Sequence, residues 1–210
     1  MSAQQLDDVK DQMARIRASL NREIETIRNN SRYCDDGRVQ EIAKAVFNHR
    51  KQAQSLRDKF TTNNEDVRLR MTSRLFGLPA GSDAATTLVM RDAQDRAAKL
   101  ESADDAAALL KRATELGDML LARAVAGHAH AKKWNAVTES YAEAAGLSEA
   151  LAELESLPSG GWLKTGVNVL FSVKTPPELL PNGGASVGFL QGADLPDDRL
   201  QAIAEGNELP

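Results

Sequence analysis

One cysteine, Cys34, stands in the whole 210-residue sequence. An internal disulfide and a cysteine-based zinc site are therefore excluded. Histidine is almost as scarce, with three residues, and aromatic side chains make up only 4%. No run of 18 apolar residues occurs, so no bilayer-spanning helix is expected. The opening stretch, Met1 to Lys10, is polar and acidic and does not read as a secretory signal. A cytosolic setting is the default expectation. Glycine and proline are thin over most of the length: residues 158–210 hold 6 of the 7 prolines and 8 of the 14 glycines. Residues 1–157 should thus be mainly helical and residues 158–210 mainly not.

Hydrophobic residues make up 42%, enough for a folded core, and the formal net charge is −4. The charge is unevenly spread. Residues 1–77 carry a net of +4, residues 78–157 a net of −5 and residues 158–210 a net of −3. The reading is a mainly α protein in three parts. These are an N-terminal antiparallel helical hairpin plus a short third helix (1–77), an Ala-rich, solenoid-like helical block (78–157), and an extended Gly/Pro-rich C-terminal arm with a short β segment (158–210).

The hairpin rests on heptad spacing. Leu6, Met13, Leu20 and Ile27 are seven apart, with Val9 and Ile16 on the companion seam and Ile24 covering it where Glu23 interrupts. Asn29-Asn30-Ser31 ends that helix and Asp35-Asp36-Gly37 starts the next. The second helix carries Val39, Val46, Ala53 and Phe60, with Ile42 and Leu56 alongside. Thr62 with Glu65 has the spacing of a capping box and predicts a fresh helix start, ending at Gly77 and Pro79. In the block, 22 of 80 residues are alanine. Helix starts are expected at Ser82/Asp83, at Ser102 with Asp105, and at Asp118, with ends at Gly117 and Gly146. Trp134 should plug this core. Small residues at the contacts resemble stacked helical pairs of the tetratricopeptide type, although no 34-residue period repeats.

In the arm, Val167, Val169, Phe171 and Val173 alternate with other residues, which predicts a strand. A second extended piece follows Asn182-Gly183-Gly184, and a terminal helix is expected over Asp197 to Ala204. Two strands alone are marginal in water, so the arm must lie on something: its own helices, a neighbouring copy or a different partner. Its candidate partner-binding residues are Trp162, Val167, Val169, Phe171, Val173 and Phe189.

Catalytic and metal constellations are missing. His128 and His130 are two apart on a helix and diverge; His49 lies on the second helix's companion seam. Satisfied or solvated histidines are the plainer reading of all three. Cys34 has no local base, the glycine pairs lack the helix and lysine of a phosphate loop, and Asp35-Asp36-Gly37 lacks the other ligands of a calcium loop. No enzyme activity, metal or cofactor is predicted. Arg15, Arg22, Arg28, Arg32 and Arg38, continued by Arg50 and Arg57, form a possible basic face for nucleic acid. Solvated arginines paired with the neighbouring carboxylates are the favoured alternative.

Two stretches carry a family resemblance. One holds Ile27-Arg28-Asn29-Asn30, Asp36-Gly37-Arg38 and Glu41-Ile42-Ala43-Lys44, closing on Arg74-Leu75-Phe76-Gly77. The other holds Leu116-Gly117-Asp118-Met119-Leu120-Leu121-Ala122-Arg123-Ala124 and Trp134-Asn135-Ala136-Val137. Over most of residues 15–145 the chain resembles small helical structural proteins of tailed bacteriophages of high-GC bacteria. The resemblance implies a virion protein of the head or head–tail region, assembled in the host cytoplasm. Its implied partners are further copies of itself and capsid, portal or tail components, without a membrane. The arm would then sit on neighbouring subunits. The other reading is a cytosolic, tetratricopeptide-like adaptor that binds a peptide or protein.

Overall fold

The computed structural model describes residues 3–157, 161–180 and 195–207, with side chains at 3–5 and 161–164 left aside. Those residues are mainly helical, and no strand occurs among them. In order they form α1 (Ala3–Arg28), α2 (Asp35–Phe76), α3 (Ala84–Ala97), α4 (Ala103–Glu115), α5 (Met119–Lys132), α6 (Asn135–Ala144), α7 (Ser148–Ser156), α8 (Gly161–Leu170), a 3₁₀ turn (Pro177–Leu179) and α9 (Asp197–Ala204).

Two elements depart from the sequence reading. The first is α2, which runs unbroken to Phe76 where a stop after Phe60 and a restart at Thr62 are predicted. The run Thr61-Thr62-Asn63-Asn64 contains neither glycine nor proline, so nothing forces a break. The Thr61 hydroxyl is absorbed within the helix, donating to the carbonyls of Arg57 (3.1 Å) and Asp58 (3.0 Å). The second is the strand over residues 167–173, which is absent. Residues up to Leu170 are helical and only those after Phe171 are extended. The alternation was ambiguous, because Val167 and Phe171 are also four apart and share one face of a helix. Val167 is buried, whereas Val169 is 68% exposed.

The chain forms two compact units, which replace the three-part division at 77/78 and 157/158. One combines residues 2–62 with 159–210, and the other is residues 63–158. The arm therefore belongs with the N-terminal helices.

In the discontinuous unit, α1 buries Met13, Leu20, Ile24 and Ile27, the stripe its heptads predict. The first part of α2 buries Ile42, Val46, Ala53 and Phe60. The C-terminal segments add Val167, Phe171, Val173, Leu179, Leu195, Leu200 and Ile203, all buried. Phe171 packs on Phe60 with ring centroids 5.7 Å apart. The seat on neighbouring subunits that the resemblance implies is thus corrected for the arm's described parts, which lie on α1 and α2 of the same chain.

The inserted unit, residues 63–158, is built around α5. Leu121, Ala122, Ala124, Val125, Ala126 and Ala129 of that helix are all buried, and it packs against α3, α4 and α6; α6 also meets α4 and α7. Alanine at so many contacts lets helix backbones approach closely. The caps are those the sequence marks. Asp83 accepts from the Thr86 amide (2.7 Å), Ser102 from that of Asp105 (3.1 Å), and Asp118 from that of Leu121 (3.1 Å). Gly117, at φ +73°, turns the chain out of α4, and the Asp118 amide reaches back to the Ala113 carbonyl at 2.8 Å. Trp134 is half-buried at the start of α6, packed against this core and edge-on to His128.

Candidate functional site

The most elaborate polar arrangement among the described residues lies where the arm meets α1 and α2. Residues 171–179 form a strap. Along α1 it passes Arg17 at Ser172 and Arg28 at Glu178. The two contacts come in the same order on both segments, so the strap runs in the direction of α1. Along α2 it runs the other way, from Phe171 beside Phe60 to Thr175 beside Arg50.

Three arginines hold it, each by a different chemistry. Arg17 caps the end of α8: its guanidinium donates to the carbonyls of Leu170 (2.7 Å) and Ser172 (3.0 Å). Arg28 donates to Glu178 (2.6 Å) and to Glu25 of its own helix (2.5 Å). The Glu178 and Glu25 hydrogen bonds raise the Arg28 pKa further above its ordinary range. Partial burial pushes the Glu178 carboxyl up. The Arg28 hydrogen bond, a backbone hydrogen bond and the Arg28 charge outweigh it, and the carboxyl titrates below its usual value. Arg50 fastens both ends of the stretch between Thr175 and Asp197. It donates to the Leu195 carbonyl (2.5 Å), the Asp197 carboxylate (2.9 Å) and the Thr175 hydroxyl (2.9 Å). The same hydroxyl accepts from the Leu195 amide at 3.2 Å.

This geometry reassigns the predicted site residues. Val167, Phe171 and Val173 are core of their own unit, while Val169 alone of the alternating set faces solvent. Trp162 lies on α8, with its side chain outside the described residues, and Phe189 lies outside them altogether. Of the basic face, Arg15, Arg22 and Arg32 are exposed. Arg28 is committed to carboxylates, and Arg38 pairs with Asp35 at 3.2 Å. Arg17, Thr175 and Glu178 were missed. The one available signal was that Arg17 and Arg28, eleven apart, share a helix face.

The remaining chemistry is quiet. Exposed Cys34 accepts the Gly37 amide through Sγ at the start of α2 (3.4 Å). His49 is buried, with Nδ1 2.9 Å from the Ala45 carbonyl and 3.7 Å from Glu23. His128 meets the Leu100 carbonyl at 3.2 Å through Nε2. His130 stacks on Phe76 at 5.1 Å; burial, and then the charge of Arg68, hold its pKa below the ordinary value. Among the described residues no group of three or more metal-ligating side chains is placed to hold an ion. None of the described helices is long and apolar enough to cross a membrane.

The inserted unit has a separate feature, an apolar cleft of about 380 Å³ between the end of α2, α3 and α5. It is lined by Leu69, Phe76, Ala97, Ala124, Gly127 and His128, among others. Its unit also exposes large apolar side chains: Leu69 at 69%, Leu88 at 65%, Leu116 at 75% after α4, and Met119 at 43% opening α5. No family model, curated protein or solved structure matches the chain.

Proposed function

We propose that the chain is a non-enzymatic assembly protein of a tailed-bacteriophage virion, in the head or head–tail region. Further copies of itself and capsid, portal or tail proteins are its neighbours. In this reading α1 and α2 act as an antiparallel hairpin braced by the strap, and the Ala-rich unit acts as a solenoid-like block that presents contact surface. The observation that carries the reading is the exposure of both Leu116 and Met119 where α4 gives way to α5. Single exposed leucines are ordinary, but two large apolar side chains three residues apart, one after α4 and one opening α5, offer apolar surface for a protein partner to bury. Commitment of Arg28 and Arg38 to carboxylates further supports protein over nucleic acid as the partner.

The test is association. The chain should sediment with head or tail proteins encoded beside it, and the double variant Leu116→Asp/Met119→Asp should bind at least tenfold more weakly. A wild-type chain that stays a lone monomer with every such neighbour refutes the reading, as does a gene that lies away from portal, capsid and tail genes.

A second reading, a helical adaptor, is favoured by the apolar cleft. An adaptor would capture an apolar peptide as a stable monomer, and Leu69→Asp would abolish capture while Leu116→Asp would not.

A further inference from the structure

The chain passes between its two compact units at 62/63 and at 158/159. The first crossing lies inside a helix. α2 runs without a break from Asp35 to Phe76, yet it serves two cores. Phe60 packs on Phe171 in the discontinuous unit. Leu75 and Phe76 lie in the core of the inserted unit, with Val67 and Met71 packed against it. Between Phe60 and Val67 stand Thr61-Thr62-Asn63-Asn64-Glu65-Asp66, and none of these six is apolar. Asn64 alone of them is buried, and it falls on the inserted unit's side of the boundary. Threonine and asparagine are poor helix formers: one loses rotamer freedom, the other competes for the backbone. Helices in proteins are held mainly by packing an apolar face, and here α2 has no such face to pack.

We propose that α2 carries a two-state hinge: the helix opens at Thr62, and the two units turn about that point. The groups that a break sets free have substitutes within one turn. In the closed helix the Thr62 amide bonds four residues back, to the Asp58 carbonyl. In the open state the Thr62 hydroxyl accepts the Glu65 amide, and the Glu65 carboxylate accepts the Thr62 amide. That is the reciprocal pair of a capping box. Thr62 and Glu65 are exposed in the closed helix, so both are at hand when it parts. The Asp58 carbonyl left behind already holds the Thr61 hydroxyl at 3.0 Å. Back-bonding of this kind also weakens the closed helix and favours a bend there. Both ends of the severed bond are therefore satisfied in advance. The hinge is a property of the isolated chain and holds for an assembly protein and an adaptor alike.

Amide hydrogen exchange on the full chain reads the opening. Thr62, Asn63 and Asn64 should exchange at least tenfold faster than Val46 and Leu75 on either side, at a rate that low denaturant does not change, as a local opening requires. Thr62→Ala removes the cap from the open state. It should slow exchange at residues 62–65 at least fivefold more than Asn63→Ala, which raises helix propensity by a similar amount and leaves the cap in place. Thr62→Ser keeps the hydroxyl and should exchange like the unaltered chain. Equal slowing by Thr62→Ala and Asn63→Ala, or exchange at 62–64 as slow as at Val46, overturns the hinge.

Turning is read separately, by the distance between spin labels at Cys34 in one unit and at Lys111→Cys in the other, both exposed positions. The labelled chain should give two distances or a broad spread, and adding Thr62→Ala should narrow it toward one. A distribution that Thr62→Ala leaves unchanged overturns the inference. A chain that joins head or tail proteins without this hinge keeps the proposed function and loses the inference. A hinge in a chain that joins none of them does the reverse.

Discussion

Arg28 stands between two carboxylates, one three residues back on its own helix and one 150 positions away. Its side chain and that of Glu178 are about a third exposed, so solvent screens the pair. Charge-assisted hydrogen bonds are worth roughly 1.5–3 kcal/mol when sheltered, and about 1 kcal/mol is expected here. Glu178→Gln should lower stability in denaturant titration by that amount at neutral pH. Because the folded Glu178 pKa is depressed, the contribution is complete above the unfolded value of about 4.3 and vanishes as pH falls through the lower, folded one. Wild type and variant should therefore converge in acid. His130 acts in a different window. Burial and Arg68 depress its pKa, against the opposing charge of Glu155, so the unfolded chain binds the proton first. Stability of the inserted unit should fall as pH drops below about 6.5, and His130→Asn should flatten that part of the profile; an unchanged slope would show that His130 is not its source.

At the scale of the element, α8 gives the sharpest contrast. A strand over 167–173 would place Val167 and Val169 on one face, and they would respond alike to truncation. The helix separates them. Val167→Ala should cost about 2 kcal/mol and Val169→Ala less than about 0.5 kcal/mol, read from paired denaturant melts. Equal losses would restore the strand.

What was legible in the sequence follows the same line. The stripe Met13-Leu20-Ile27 and the caps at Asp83, Ser102 and Asp118 are local patterns, and local patterns declare themselves. The Thr62–Glu65 capping box misled because neither glycine nor proline interrupts the run around it, and the neighbouring Thr61 hydroxyl bonds back to the preceding turn. The strap was illegible for a deeper reason. Arg17, Arg50 and Thr175 have meaning only together, and no periodicity links positions more than a hundred residues apart.

For the molecule as a whole, the consequence is that the two ends of the sequence fold as one unit around an insertion. Removing residues 158–210 should strip Phe60 of Phe171 and uncover Leu20 and Ile24, which lie beside Thr175 and Pro176. The shortened chain should then lose more helical circular dichroism than the deleted residues contribute, while residues 63–158 keep a cooperative melt. A loss confined to the deleted residues would mean that α1 and α2 do not need the arm.

Hydrogen exchange on the dilute, monomeric full chain reaches the central claim without altering a residue. The amides of Phe171, Leu179 and Leu200 donate to Val167, Pro176 and Pro196, inside segments whose side chains are buried. They should be protected together with the α2 amides around Val46 and lose that protection at the same denaturant concentration. Exchange at these three positions at unfolded-chain rates, while Val46 stays protected, would contradict a strap closed on its own helices.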